Sequence, residues 1–510
     1  MTGLRLLLLA GGALAVAGLA RRKGWPAPLL LVLAGLLASP LVPTEFKLQP
    51  ELVLLVFLPP LLYSAAWDAS YLRLRDVTRP VALLSVGLVL FTMTAVGLTV
   101  HWMIPNVSMA AAFVLGAIIA PPDAVAAVAV GRRLGLPRKA LTILVGESLF
   151  NDATALTAFR VALGAVTGTG FELLDATGEF LYSAAVGAAI GVGLALVFGW
   201  VMERLRDALV ENTVMLLIPF ASYLAAEIVH ASGVISVVIV GLYLGNRMHR
   251  MGFGTRLVAD GVWKLLDFFL ETIVFALIGL QLITVLPKDY SAGQLTLYAV
   301  VVFLVTVLAR FVWVFIFGNL QRERPPASHI VLVGWAGMRG VVSLAAAFVV
   351  IEMPGMSLVA FLTFTTVIGT LLVQGLTFPM LIRRLRVSST EEEFQDTLAE
   401  AAAKQEALAA GLAALERAAP GEPDEITQDV LDQLRTKTER RALTAWERLG
   451  GGTGQDGSET PSAIYRRLRQ EMLLAEREVF VRLRDQRRID DEVLRKVMAE
   501  LDFEEAILER

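Results

Sequence analysis

The sequence predicts an all-α integral membrane protein with a smaller helical domain at its C-terminal end. Of its 510 residues, 56% are hydrophobic and only 18% are charged, and residues 4 to 386 form a series of apolar runs. A membrane-spanning helix needs about 20 mostly apolar residues, which these runs supply. The rest of the chain is charged and helical in pattern. We therefore predict a transmembrane domain over 1–386 and a cytosolic domain over 387–510.

Thirteen apolar runs follow one another, and the gaps between them predict the orientation. Lys and Arg in short loops favour the cytoplasmic side. They cluster in every second gap, from Arg21–Lys23 to Arg383–Arg386, whereas the other gaps carry acids such as Glu45 and Glu172. We expect a multi-pass protein of the cell (inner) membrane, N-terminus outside and C-terminus in the cytoplasm. The runs are approximately 4–20, 25–42, 50–66, 81–100, 108–130, 138–163, 180–202, 211–230, 232–246, 263–285, 295–319, 328–351 and 357–382.

The first run has a second interpretation. Arg5 before an apolar stretch, with the small residues Ala15 and Ala17, is also typical of a cleaved signal peptide. The three positive charges directly after the run favour a retained span.

The thirteen runs divide into six, one linking run (180–202) and six more, so the second six enter the membrane in the opposite orientation. Such inverted repeats are common in secondary transporters, whose sites lie near the midplane where broken helices meet. The fifth and twelfth runs are then related. They contain the helix-breaking sequences 120–123 (Ala-Pro-Pro-Asp) and 334–340 (Gly-Trp-Ala-Gly-Met-Arg-Gly). We expect these two broken helices to cross at mid-membrane.

The prolines of the fifth run predict a site for a cation. Pro121 and Pro122 have no amide hydrogen, so carbonyl oxygens in the preceding turn, near residues 117 and 118, lose their helical partners. Hard cations take oxygen ligands, and Asp123 adds a carboxylate at the same place. The alternative is a kink needed only for packing, with Asp123 capping the second half-helix.

The sixth run places two acids inside an apolar helix. Ionisable residues at such depth usually mark ion paths or proton relays. Ser148 and Asp152 are four residues apart and share one face, and Glu147 and Asn151 share the adjoining face. We assign Ser148 and Asp152, with Asn151 beside them, to a monovalent cation and the proton, and the Glu147 face to a structural partner.

Two arginines lie deepest in apolar runs, and each needs an anion or another acceptor. We predict an ion pair between Glu147 and Arg339, which leaves Asp152 free; the alternative, Asp152 with Arg339, would remove it as a carrier. Arg310 is expected to bond backbone carbonyls or another acid and is given no transport role. Glu271 is expected to line a cytoplasmic vestibule. Glu227 and His230 are expected to be solvated at the outer end of the eighth run.

A buried carboxylate can couple two ion flows. If it takes up a proton near cytoplasmic pH, a cation and a proton compete for one site, and this competition is sufficient for exchange. Because Asn151, and not a second acid, precedes Asp152, one negative charge is neutralised in each cycle. The sequence therefore predicts electroneutral one-for-one exchange. A cation channel is the alternative from another class, and it would need no titrating carrier.

Other functions find no support in the composition. The chain has no cysteine, which excludes disulfides and thiolate metal sites, and its four histidines show no metal-ligand spacing. Its net charge of −3 does not suggest a nucleic-acid partner. No nucleophile–base arrangement or phosphate-binding loop is evident. We expect neither an enzyme nor a bound cofactor.

Several motifs together resemble the monovalent cation/proton antiporter superfamily, and within it the sodium/proton exchangers with an Asn-Asp pair in the sixth helix. The likeness spans most of residues 25–386. Its strongest pieces are 57–60 (Phe-Leu-Pro-Pro), 121–123 (Pro-Pro-Asp), 146–152 (Gly-Glu-Ser-Leu-Phe-Asn-Asp), 223–241, 275–280 (Phe-Ala-Leu-Ile-Gly-Leu) and 337–340 (Gly-Met-Arg-Gly).

The resemblance implies a homodimer in the lipid bilayer, with a dimerisation domain and a core domain that carries the ion past it as an elevator. By position, it implies that Asp152, Asn151 and Ser148 bind the ion with the segment 120–123, and that Glu147 pairs with Arg339. It also implies a role in pH homeostasis. Two departures put the ion preference in doubt: Ala120 and Pro121 stand where many members have a hydroxyl residue, and Ser64 stands where some have an acid. A K⁺/H⁺ antiporter of the same fold is the alternative to Na⁺/H⁺ exchange.

The C-terminal part has the pattern of amphipathic helices. Thr390 and Glu393 have the spacing of a capping box, and an Ala/Glu-rich helix is predicted to about residue 417. A second helix is predicted over 424–449, a flexible linker over 450–462 and further helices over 463–510. The functional interpretation is a regulatory or dimer-stabilising domain; the alternative is a passive folded tail.

Overall fold

A computed structural model describes most of the chain as α-helix, and the described residues form no β-strand. They are 2–23, 25, 27–39, 50–166, 173–281, 285–287, 289–320, 326–351, 353, 355–385, 387, 390–418, 427–437 and 459–509. The chain folds into two compact units, Met1–Ser388 and Ser389–Arg510.

Among the described residues, each predicted apolar run of the first unit contains α-helix. Within the described part of the chain, five stretches are long and apolar enough to cross a bilayer by length and composition: Thr78–Met103, Thr177–Met202, Ala208–Glu227, Ala292–Gly318 and Ser357–Leu385. The helices up to residue 166 are α1 (Thr2–Lys23), α2 (Ala27–Ala38), α3 (Pro50–Trp67), α4 (Tyr71–Asp76), α5 (Thr78–Ala82), a π-helical segment (Leu83–Leu88), α6 (Val89–Met103), α7 (Met109–Ile119), α8 (Ala124–Arg133) and α9 (Arg138–Val166). The later ones are α10 (Leu173–Met202), α11 (Ala208–Glu227), α12 (Gly233–Asn246), α13 (Phe253–Gln281), α14 (Ala292–Leu320), α15 (Ala327–Trp335), α16 (Val341–Ile351), α17 (Ser357–Thr370), a second π-helical segment (Leu371–Gly375) and α18 (Leu376–Leu385).

Two helices are interrupted where the sequence predicts it. α7 ends at Ile119 and α8 begins at Ala124, so the break falls on the two prolines and Asp123. α15 ends at Trp335 and α16 begins at Val341, so the second break falls on the glycine-containing segment 336–340. Each break leaves backbone amides and carbonyls without helical partners in the interior of the protein.

The membrane helices pack as two bundles. The first, here called the core bundle, consists of α4–α9 and α14–α18, and each of its halves contributes one interrupted helix. The second, called the scaffold bundle, consists of α1–α3 and α10–α13, with α13 lying along α2. Contacts between the bundles are sparser and run chiefly from α3, α12 and α13 to α9 and α16. The candidate site lies at this boundary.

The second unit contains α19 (Thr390–Ala418), a helix α20 over 427–437, and a pair formed by α21 (Pro461–Asp485) and α22 (Asp491–Glu509). Thr460 caps α21 by accepting a hydrogen bond from the Ala463 amide. Arg469 of α21 forms a bidentate ion pair with Glu504 of α22, both contacts at 2.7 Å. Most of the predicted linker over 450–462, and the parts of the predicted second helix beyond 427–437, lie outside the described residues.

Candidate ion-binding site

The two interrupted helices meet at their breaks. The Asp123 amide donates a hydrogen bond to the Met338 carbonyl at 2.7 Å, so the breaks satisfy each other's backbone groups. The Asp123 side chain packs directly on Gly340, at the place that any side chain at position 340 would occupy. On the other side, the Arg339 amide donates to the Thr370 hydroxyl at 3.0 Å. The crossing is therefore a fixed junction that presents a carboxylate beside unwound backbone.

α9 runs past this junction and carries the predicted Asn-Asp pair. Asn151 is fully buried, and its side-chain amide donates to the Pro122 carbonyl at 2.7 Å. Asp152 is only 6% exposed, yet no residue that the structure describes gives it a hydrogen bond or an ion pair. A buried carboxylate without a partner is unfavourable unless it takes up a proton or a cation. Asn151 is therefore bonded to the first helix break, whereas Asp152 has no such bond among the described residues.

A cavity of about 350 Å³ opens beside Asp152. On the core side its lining includes Pro121, Asp123, Ser148 and Asp152, so the structure brings four of the predicted site residues to one surface. Ala120 and Asn151 do not line it, and both are completely buried. On the scaffold side the lining includes Ser64, Asp68, Asp267 and Glu271. Three arginines of the core bundle also line the cavity: Arg73, Arg132 and Arg138. The cavity therefore runs from Asp152, in the middle of α9, to Arg138 at the start of that helix.

The predicted ion pair between Glu147 and Arg339 is wrong. Glu147 pairs with Arg310 of α14: the two terminal guanidinium nitrogens donate to the two carboxylate oxygens at 2.5 and 2.8 Å. Both side chains are about 1–2% exposed. The Arg310 Nε also donates to the Val333 carbonyl at 2.9 Å, near the end of α15, so one guanidinium satisfies an acid and a free carbonyl.

Geometry explains why Arg310, and not Arg339, reaches Glu147. The Arg310 side chain passes over Gly337, where a methyl group would collide with its Cδ. Arg339 lies in the break itself and folds back to donate to the Gly337 carbonyl at 2.8 Å, while its buried Nε has no hydrogen-bond partner. The spacing of arginines along the sequence does not reveal which of them crosses the glycine. The assignment of Glu147 to a structural partner, separate from Asp152, does describe the structure.

A second ion pair lies towards the end of α9 away from the cavity. Arg160 of α9 pairs with Glu227 of α11, which joins the core bundle to the scaffold bundle. The two side chains are 39% and 29% exposed, so solvent reaches the pair but does not separate it. The expectation that Glu227 is merely solvated is therefore corrected.

Sequence reasoning missed Asp267 of α13. It accepts a hydrogen bond from the Ser64 hydroxyl at 2.5 Å and lines the cavity opposite Asp152. The signal was available, because an acid inside the apolar run 263–285 is as unusual as the acids of the sixth run. Glu271, four residues further along the same helix, lines the cavity as expected.

The donor set is suited to a cation that takes oxygen ligands from mixed groups. Among the described residues no group of three or more His, Cys, Asp or Glu side chains could hold a metal ion. The cavity instead offers single carboxylates, the Ser148 hydroxyl and the unwound backbone at Pro121. Carboxylate, hydroxyl and carbonyl oxygens are the ligands of hard cations.

Comparison with known proteins identifies the family. Residues 8–384 match the family model described as "Sodium/hydrogen exchanger, transmembrane". The Na⁺/H⁺ antiporter ApNhaP of Aphanothece halophytica is 33% identical over 404 residues, 78% of this chain and 76% of the relative. A sodium, potassium, lithium and rubidium/H⁺ antiporter of Bacillus subtilis is 31% identical over 385 residues, 70% of this chain and 58% of the relative.

A solved structure shares the fold. The sodium proton antiporter MjNhaP1 of Methanocaldococcus jannaschii superposes with a TM-score of 0.62 over 75% of this chain and 97% of that one, at 20% identity. The family model covers most of the chain, and its match includes both helix breaks and all of α9. The chain belongs to the sodium/hydrogen exchanger family of transmembrane antiporters.

Proposed function

We propose that this protein exchanges Na⁺ for H⁺ across the membrane, with Asp152 as the carboxylate that binds either ion. The observation that carries the proposal is the contrast between two acids on one helix. Glu147 is neutralised by Arg310, whereas Asp152 is buried, has no hydrogen-bond or ion-pair partner among the residues that the structure describes, and faces the cavity. The first acid is a structural element, and the second is available to a transported ion.

Binding would place Na⁺ between α9 and the first helix break. Asp152 supplies the charge, Ser148 a hydroxyl oxygen one turn earlier, and the segment from Ala120 to Asp123 carbonyl and carboxylate oxygens. When a proton binds Asp152 instead, the charge that holds the cation is lost and the cation leaves. Competition between Na⁺ and H⁺ for one carboxylate is therefore sufficient to couple their movements.

We also propose a one-for-one stoichiometry. Asn151, which stands where a second acid would add a second negative charge, is neutral and bound to the Pro122 carbonyl. Exchange of one Na⁺ for one H⁺ at Asp152 then moves no net charge. Such exchange is driven by the Na⁺ and H⁺ concentration gradients and does not depend on the membrane potential.

Alternating access would come from movement of the core bundle along the scaffold bundle, as in an elevator. The sparser contacts between the bundles support this, as does the cavity, which extends to the Arg138 end of α9 while the Arg160–Glu227 pair joins the bundles near the other end. Arg73, Arg132 and Arg138 line the open end of the cavity, and by the positive-inside rule these charges support a cytoplasmic opening. We further propose thirteen spans in a 6+1+6 inverted repeat, an outside N-terminus and a homodimer that serves pH homeostasis at the cell membrane.

K⁺ is the second candidate for the cation. Two observations favour K⁺ as a transported cation: the relative from Bacillus subtilis is named for sodium, potassium, lithium and rubidium, and Ala120 offers no side-chain hydroxyl at the break. With fewer fixed ligands a site discriminates less by size, because selectivity depends on ligand number and cavity rigidity.

Exchange in proteoliposomes tests the proposal. A pH-sensitive dye inside the vesicles reports proton movement when Na⁺, K⁺ or Li⁺ is added outside. We expect Na⁺ to drive the signal, Asp152→Asn to abolish it, and Asp260→Asn, an exposed acid paired with Lys264, to leave it unchanged. Persistence of coupled exchange in Asp152→Asn would refute the carrier assignment. A cation current through the Asp152→Asn protein would favour a channel.

A further inference from the structure

The scaffold wall of the cavity carries two carboxylates that the exchange cycle described above does not use. Asp267 and Glu271 are four residues apart on α13, so they lie on one face of that helix, and both line the cavity opposite Asp152. The Ser64 hydroxyl of α3 donates to Asp267 Oδ2 at 2.5 Å. α3 and α13 both belong to the scaffold bundle.

The Asp267 carboxylate is incompletely compensated. Its Oδ1 is shielded from solvent and receives no hydrogen bond, and no Lys or Arg of the described residues forms an ion pair with it. Glu147, the other acid bonded deep in the same unit, has a bidentate arginine. A single hydroxyl donor does not balance a half-buried carboxylate whose other oxygen is shielded from water. A cation at Oδ2, next to the Ser64 oxygen, would complete its coordination.

Asp267 also belongs to a series of acids that line the cavity. Asp68, in the loop after α3, interacts electrostatically with Asp267, and Glu271 interacts with both Asp267 and Asp123. Asp123 in turn interacts with Asp152. Acids along a narrow cavity with low-dielectric walls concentrate cations within it. The series leads from the open side of the cavity to the carrier.

We propose that Asp267 is a cation-loading residue: its carboxylate, oriented by Ser64, binds the monovalent cation in the cavity before the cation passes to Asp152. This inference rests on the proposed exchange function and adds a specificity-determining residue to it. Because Asp267 belongs to the scaffold bundle, it serves the cation only from the side on which the cavity is open. Ser64 is a positioning residue that acts through Asp267.

The test is the dependence of exchange rate on Na⁺ concentration, measured separately with Na⁺ on each side of oriented membrane vesicles. For Asp267→Asn we expect the KM for Na⁺ on the cavity side to rise about tenfold, which corresponds to about 1.4 kcal/mol of lost cation stabilisation. The maximal rate and the KM on the opposite side should change less than about twofold. Asp267→Glu should recover most of the affinity, and Asp260→Asn is the matched surface control.

Ser64→Ala gives a second, milder test that does not depend on the folding of Asp267→Asn. We expect its KM on the cavity side to rise about threefold, and no further rise when it is added to Asp267→Asn. An unchanged KM in both variants, an equal rise on both sides, or a lower maximal rate at unchanged KM would overturn the inference. These outcomes leave the proposed function standing, because that function is tested separately by the loss of exchange in Asp152→Asn.

Discussion

Separating Glu147 from Arg310 should destabilise the protein more than any exposed change. Both side chains are nearly inaccessible, and removing one partner of a buried pair leaves an uncompensated charge, at a cost of about 3–5 kcal/mol. Glu147→Gln and Arg310→Gln should therefore each lower the free energy of unfolding by that amount. The double variant should lose less than the sum of the two, with a coupling energy of about 2–3 kcal/mol, because neither charge is then left alone.

Titration with a denaturing detergent measures these energies, and the eight tryptophans supply an intrinsic fluorescence signal. The informative control is the parallel cycle of Glu147→Gln with Arg339→Gln. Arg339 donates to the Gly337 carbonyl and not to Glu147, so we expect a coupling energy below about 1 kcal/mol. A coupling larger for Arg339 than for Arg310 would show that the two arginines have been assigned the wrong way round.

Three further predictions concern the junction, the outer ion pair and the tail. Gly340→Ala should abolish exchange in protein that still inserts and purifies, because a methyl group would occupy the position of the Asp123 carboxyl; full activity would refute the packing at the break. Glu227→Gln removes the ion pair with Arg160 that joins the bundles away from the cavity. A single cysteine introduced beside Asp152 into this cysteine-free chain should then react faster with an impermeant thiol reagent added on that side. An unchanged reaction rate would mean that the ion pair does not close the pathway. Hydrogen bonding from Arg469 lowers the pKa of Glu504, so their pair stabilises the tail above the ordinary pKa of a glutamate and is lost as pH falls through the lowered value. Amide exchange in α21 and α22 of the whole protein should therefore quicken when the pH is lowered below the shifted pKa of Glu504. The increase should be equivalent to less than about 1 kcal/mol, as expected for an exposed pair. Equal exchange rates above and below that pKa would contradict this prediction.

The positions of the helices and their interruptions could be predicted because they depend on local chemistry. Apolar runs of the required length give the spans, and the missing amide hydrogens of Pro121 and Pro122 give the first break. The face shared by Ser148 and Asp152 follows from helical periodicity alone. For the same reason the separation of Glu147 from Asp152 could be predicted before its partner was known.

Contacts between distant segments could not be predicted in the same way. Arg310 and Arg339 are equally deep in apolar runs, and only the path over Gly337 decides which reaches Glu147. The bracing role of Asn151 depends on the direction in which the Pro122 carbonyl points after the break. Asp267 accepts a hydrogen bond from Ser64, which lies 203 residues away in the sequence. Such pairings depend on the packing of whole helices.

Proton release on cation binding tests the central claim most directly. Purified protein in weakly buffered detergent solution is mixed with Na⁺ at a pH where Asp152 is protonated, and the protons released are counted against the Na⁺ bound. If one carboxylate binds either ion, one proton should leave for each Na⁺ bound, and Asp152→Asn should release none. Na⁺ binding without proton release, or undiminished release from Asp152→Asn, would contradict the account.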